Sequence, residues 1–169
     1  YDDLVVGALQ GWAGGIVYAG TAYVYYGAST GISSSSEDKL VASDATRDDY
    51  FGGSVSGAGD INGDGYDDIV IGASGDDDGG IISGSAYVYY GTSTGISTVS
   101  EDKLVASDAA SGDYFGTAVS GAGDVDNDGY DDLIVGATGD DDNGGGSGSV
   151  YVYYGTASGI DSASEDKLL

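Results

Sequence analysis

The chain has 169 residues and sets twenty-nine Asp and Glu against four Lys and Arg, a formal net charge of -25. Such a surface repels nucleic acid and anionic lipid and attracts cations, so neither polyanion is an expected partner. With no Cys and no His, disulfides, thiolate metal sites, an imidazole base and an imidazole zinc ligand are all excluded.

Acidity alone would suit a disordered chain, but disorder goes with few aromatic residues. Here fifteen Tyr, two Phe and one Trp accompany apolar runs such as Ile69-Val-Ile and Leu133-Ile-Val. The acid is laid onto a foldable framework. No run approaches the roughly 18 apolar residues of a membrane span, so membrane insertion is not expected.

Internal repetition sets the architecture. Tyr-Val-Tyr-Tyr-Gly begins at Tyr23, Tyr87 and Tyr151, and Ser-Glu-Asp-Lys-Leu at Ser36, Ser100 and Ser164, a period of 64 residues. Tyr-Phe-Gly occurs at 50–52 and 114–116, and Tyr-Asp-Asp at 1–3, 66–68 and 130–132. The units divide as 1–49, 50–113 and 114–169, the first without its opening third. Within the second unit, Phe51 to Ser56 reads as a strand, and Asp68 to Ala73 as a continuous apolar strand covered on both faces. Ala86 to Tyr90 alternates Tyr with Val, and Lys103 to Ala106 forms a short fourth strand. The predicted class is all-β, with blades of four antiparallel strands of the β-propeller type. About three repeats supply about eleven strands. A free fourth strand and a vacant first-strand position are complementary edges, which points to self-association or to packing against other repeats of the same protein.

The most specific signal is Asp60-Ile-Asn62-Gly-Asp64-Gly-Tyr66-Asp-Asp68 and its copy Asp124-Val-Asp126-Asn-Asp128-Gly-Tyr130-Asp-Asp132. Oxygens at positions 1, 3 and 5 of a tight loop converge, Gly at position 6 allows the sharp turn, and the position 7 carbonyl turns inward. The carboxylate at position 9 closes the shell from the next strand. Oxygen-only donors favour Ca2+. An EF-hand would need a Glu at position 12, where Ile71 and Val135 stand. Solvated hairpin acids are the plainer alternative, but converging carboxylates repel one another without a cation. The second loop has one more carboxylate, Asp126 in place of Asn62, and is expected to bind more tightly. Asp3 and the Tyr1 carbonyl look like the tail of a third such loop.

Phe51-Gly-Gly-Ser-Val, the Asp60 to Ala73 string and Ser85-Ala-Tyr-Val-Tyr-Tyr-Gly together resemble the FG-GAP repeat of integrin alpha-subunit propellers and their bacterial relatives. The resemblance implies a seven-bladed propeller in the complete fold, with calcium in hairpin loops between first and second strands. It implies the ligands Asp60, Asn62, Asp64, Tyr66 and Asp68, then Asp124, Asp126, Asp128, Tyr130 and Asp132. The family's Gly-Ala-Pro is Gly72-Ala-Ser and Gly136-Ala-Thr here.

Other features have plain readings. The Asp76–Asp78 and Asp140–Asp142 runs read as solvated loops, with a second cation site as the lesser alternative, and Lys39, Lys103 and Lys167 as surface ion pairs of small consequence. Trp12 reads as a cover for a core edge, with a sugar-stacking platform as the alternative. Ser33–Ser36 is a polar turn and a lesser candidate for O-linked sugar. The expected function is a calcium-stabilised extracellular structural or adhesive module, secreted or at the cell surface. A glycan-binding surface is the alternative and a carboxylate-based hydrolase the weaker one, because almost every acidic motif is duplicated and none stands out as a catalytic singularity.

Overall fold

The computed structural model describes residues 1–32 and 36–169, which contain eleven strands and no helix. The Ser33–Ser35 part of the polar turn lies outside the described residues. β1 (Leu4–Ala8), β2 (Thr21–Tyr25) and β3 (Glu37–Leu40) form a three-stranded sheet. β4 (Ser54–Gly59), β5 (Asp68–Ala73), β6 (Ser85–Thr92) and β7 (Gly95–Leu104) form a second sheet. β8 (Phe115–Gly123), β9 (Asp132–Ala137), β10 (Ser149–Thr156) and β11 (Gly159–Leu168) form the third. Strands pair in chain order, all antiparallel.

β5 matches its sequence reading, and all six of its residues are buried. The fourth strand does not. Sequence placed it at Lys103 to Ala106, whereas β7 begins at Gly95 and ends at Leu104. Its first half lies at a sheet edge and is largely polar, with Val99 94% exposed, so it carries no apolar alternation to announce it. The opening strand also shifts: β4 starts at Ser54, and Phe51 instead bridges in parallel to Gly20 of the preceding sheet. Phe115 does the same to Gly84. At Gly84, φ is +84° and a Cβ would run into the Phe115 backbone, so only glycine permits this approach.

The sheets stack through unlike faces. In the second sheet, Ile69 and Ile71 pair with Tyr89 and Tyr87 on one face, while Val70 pairs with Val88 on the other. The tyrosine face buries against Ala22, Val24 and Leu40 of the first sheet, with Phe51 packed edge-on to Tyr87 and Tyr89 at 5.4 and 6.1 Å. The aliphatic face, Val70, Val88 and Leu104, buries against Tyr151, Tyr153 and Leu133 of the third, with Phe115 as the edge-on ring. Each fully buried aromatic here contributes on the order of 3–5 kcal/mol, judged by the usual cost of truncating one to Ala. The tyrosines are therefore inter-sheet packing. Trp12 is not a core cover: it is 63% exposed.

The acidic runs and the lysines differ most from their sequence reading. The Lys103 ammonium lies 2.6 Å from Asp44, 3.0 Å from Asp76 and 2.6 Å from Asp78, and 5.3 Å from the Tyr87 ring centroid. The Tyr87 hydroxyl donates towards both Asp44 and Asp76. Lys167 repeats this with Asp108, Asp140, Asp142 and Tyr151. Asp76 and Asp140 are buried, so these runs are not simply solvated loops. Burial opposes charge on both lysines, yet the surrounding carboxylates outweigh it and hold each ammonium above its ordinary range. Burial likewise opposes charge on Asp140, but the Lys167 bond pulls its carboxyl down to about 2.

Asp44 and Asp108 belong to the preceding sheet's exit segment, so each lysine joins two sheets. Removing the lysine is costly because the charge of Asp76, the buried member, stays behind. Lys103→Met is expected to destabilise the chain by about 2–4 kcal/mol in urea unfolding, against under about 1 kcal/mol for an ordinary surface pair. A loss in the surface range would show that the cluster contributes little.

Candidate metal loops

The loop from Asp60 to Asp68 joins β4 to β5, and the loop from Asp124 to Asp132 joins β8 to β9. Each is wound by its own carboxylates. Asp60 accepts hydrogen bonds from the N–H groups of Asp64 and Gly65 at 3.0 and 2.9 Å, and Asn62 accepts from Asp64 at 2.9 Å. Asp64 accepts from the Tyr66 N–H at 3.0 Å. The second loop repeats the set: Asp124 accepts from Asp128 and Gly129, Asp126 from Asp128, and Asp128 from Tyr130. Gly65 and Gly129 adopt φ of +89° and +98°, the turn that the sixth position requires. Residue four, Gly63 or Asn127, is also left-handed, a conformation that Asn tolerates better than most residues.

One oxygen from each of Asp124, Asp126 and Asp128 lies within 4.8 Å of the others. Oxygens on one calcium at 2.3–2.6 Å stand at most about 5 Å apart, so a single hard cation fits this set. Slight desolvation and the neighbouring Asp128 charge push the Asp126 carboxyl above its usual range, as expected of crowded like charges. In the first loop, Asn62 replaces one carboxylate, and its amide donates to Asp64 at 3.2 Å.

Asp68 and Asp132 sit lower, fully buried at the start of β5 and β9. Each spends both oxygens on backbone donors: Asp68 on Ile61 and Gly91 at 2.9 and 2.8 Å, Asp132 on Val125 and Gly155 at 2.7 and 2.9 Å. They tie the loop to the β6–β7 or β10–β11 hairpin, and Asp132 is not part of the 4.8 Å set. Burial pushes the Asp68 carboxyl up to about 6, against the lowering effect of the two N–H groups. Tyr66 and Tyr130 occupy the seventh position with their N–H groups bonded inside the loop. Asp3 accepts from the Gly27 N–H at 2.8 Å, the same anchor as Asp68 on Gly91.

Sequence reasoning passed over the second and eighth positions. Ile61 is fully buried, while Asp131 accepts from the Asp60 N–H at 2.8 Å and donates back to the Asp60 carbonyl at 3.2 Å. The first loop is thus wedged against the third sheet, and the equivalent Val125 remains 54% exposed. An apolar residue inside an otherwise acidic loop was the available signal.

Three acidic clusters of this kind occur among the described residues, and two of them hold a lysine ammonium. The cluster of Asp124, Asp126 and Asp128 has no Lys or Arg paired with it among the described residues.

The same strings connect the chain to known proteins. It is 33% identical to chicken integrin alpha-6 over 143 residues, covering 83% of this chain and 12% of that protein. Human integrin alpha-6 matches at 33% over 140 residues, covering 83% and 11%. Human integrin alpha-11 matches at 37% over 90 residues, 53% of this chain and 7% of the relative. The chain therefore spans only about an eighth of the integrin alpha-6 length. The FG-GAP repeat model matches residues 35–89 and 98–153, which take in the first metal loop, most of the second sheet and the second metal loop. On those two matches, and on the loop and strand strings they contain, the chain belongs to the FG-GAP repeat family.

Proposed function

We propose that the chain is a calcium-stabilised structural or adhesive module of a secreted or cell-surface protein, and part of a larger array of the same repeat. Its units, 1–49, 50–113 and 114–169, are then blades of the propeller type. The observation that carries the reading is the convergence of Asp124, Asp126 and Asp128 with no Lys or Arg paired to them among the described residues. The proposed ligands are Asp60, Asn62, Asp64, the Tyr66 carbonyl and Asp68, and Asp124, Asp126, Asp128, the Tyr130 carbonyl and Asp132. Asp68 and Asp132 retain lone pairs beyond those given to backbone N–H groups. The extracellular and adhesive parts draw on the integrin relatives; millimolar calcium outside cells suits weak, exposed loops. An adhesive rather than catalytic role suits motifs that are duplicated unit by unit. No helix among the described residues is long and apolar enough to cross a membrane.

A glycan-binding role is the second reading, supported by the exposure of Trp12 at the first sheet's β1–β2 connection. A glycan array that is unchanged by Trp12→Ala would remove it.

Calcium at about 100 times its Kd stabilises a folded protein by about 2.7 kcal/mol per site. Chelation of two such sites is expected to lower Tm by roughly 10–20 °C for a chain of this size. An unchanged Tm in EDTA would refute the stabilising role.

The extra carboxylate predicts that the second loop is the tighter. By calorimetry, Asp64→Asn is expected to leave the stronger site, and Asp128→Asn to leave one weaker by roughly tenfold. Equal or reversed affinities would show that burial of the first loop outweighs the added charge.

A further inference from the structure

Five Asn-Gly or Asp-Gly pairs occur in the chain, beginning at Asn62, Asp64, Asp78, Asp128 and Asn143. An Asn or Asp followed by glycine is open to attack on its Cγ by the glycine nitrogen, because no Cβ obstructs the approach. A nitrogen whose N–H is held in a hydrogen bond is kept from that attack. Gly65 and Gly129 donate to Asp60 and Asp124 at 2.9 and 3.0 Å, Gly79 to the Ser83 hydroxyl at 3.1 Å, and Gly144 to the Asp141 carbonyl at 2.8 Å. Of the five, only the Gly63 N–H has no acceptor among the described residues, and Gly63 is exposed to water.

The residue before it is suited to the reaction. Asn62 carries an amide, a better electrophile than an ionised carboxylate. Its Oδ1 accepts from the Asp64 N–H at 2.9 Å, which folds the side chain back over the Gly63 peptide and draws electrons from Cγ. Glycine is required at the next position: φ of Gly63 is +70°, and a Cβ there would lie 2.7 Å from the Tyr130 ring of the second loop. The second loop has no such step, since Asp126 is already an acid and Asn127 is followed by Asp128.

We propose that Asn62 is a self-modification site, at which the first loop exchanges its amide for a carboxylate. The Gly63 nitrogen bonds to the Asn62 Cγ, the Cγ–Nδ2 bond breaks, and ammonia leaves with the Gly63 amide proton. Water then opens the cyclic imide, so that amide and water give acid and ammonia with no other reactant. Opening at Cγ restores the backbone and leaves at position 62 the aspartate that the second loop has as Asp126. Opening at the backbone carbonyl leaves the chain running through Cγ, one carbon longer, and misplaces the loop's oxygens. The reaction needs no metal; only its effect on affinity rests on the calcium reading.

The test incubates the whole chain with EDTA in mildly alkaline buffer and maps its peptides by mass. A gain of about 1 Da is expected at Asn62 ahead of any at Asn143. Asn62→Gln, which would have to close a larger ring, is expected to abolish the gain. No gain at Asn62, or conversion of Asn143 first, would overturn the proposal. By calorimetry, Asn62→Asp is expected to bind calcium roughly tenfold tighter at the first loop than the unmodified chain. Unchanged affinity beside a clear mass gain would overturn the calcium reading of this loop and leave the modification standing.

Discussion

Crowded negative charge is the constraint under which the whole chain folds. Carboxylates brought within a few ångströms of one another in a partly buried setting must be protonated, paired or coordinated. The structure answers at one end of the second and third sheets with lysine. Each ammonium takes three carboxylates and rests on a tyrosine ring, and the third carboxylate comes from the sheet before. The ion pairing is therefore also a joint. Its strength depends on the hydrophobic stacking beside it, because Tyr87 and Tyr151 bury their rings next to Asp76 and Asp140, the buried carboxylates, while Asp78 and Asp142 stay in contact with water.

The other end of the same strands has no such internal cation among the described residues. β5 starts at Asp68, beneath the first metal loop, and ends at Ala73, just before Asp76; at about 3.3 Å per residue the two acidic centres are separated by most of a strand's length, roughly 17 Å. Screening at physiological salt largely uncouples charges at that distance, so lysine at one end does nothing for the loops at the other. Backbone N–H groups wind each loop, but they contribute partial charges only. On the proposed reading, the full positive charge comes from solution.

How much of this was legible in the sequence follows from where the information sits. β5 could be read to the residue because both of its faces are covered, which forces a continuous apolar run. The loops could be read because Asp, Asn and Gly at alternating positions have few other uses. β7 could not, since an edge strand may be polar along half its length and still complete its ladder. The lysine clusters were missed for another reason: Lys103 and Asp44 are 59 residues apart, and no local pattern links them. Only the repeat, in which Lys167 and Asp108 have the same separation, holds the relation, and it becomes meaningful once the sheets are known to stack tyrosine face to aliphatic face.

Two kinds of neutralisation have different thermodynamic consequences. A lysine is covalently attached, so the joint it makes needs no ion from solution; it weakens when salt screens its exposed partners, when the ammonium loses its proton or when the sheets part. A bound ion contributes through RT ln(1 + [L]/Kd), and its share of stability varies with its concentration. On the proposed reading, one end of the array is held constitutively and the other only where calcium is abundant. The first loop, with Ile61 buried against the third sheet, would transmit ion occupancy to the inter-sheet contact, and the second, with Val125 exposed, would do so only when another unit covers it. Calcium dependence should therefore grow with the number of stacked units rather than with the number of loops alone, because an uncovered loop has no neighbour to stiffen.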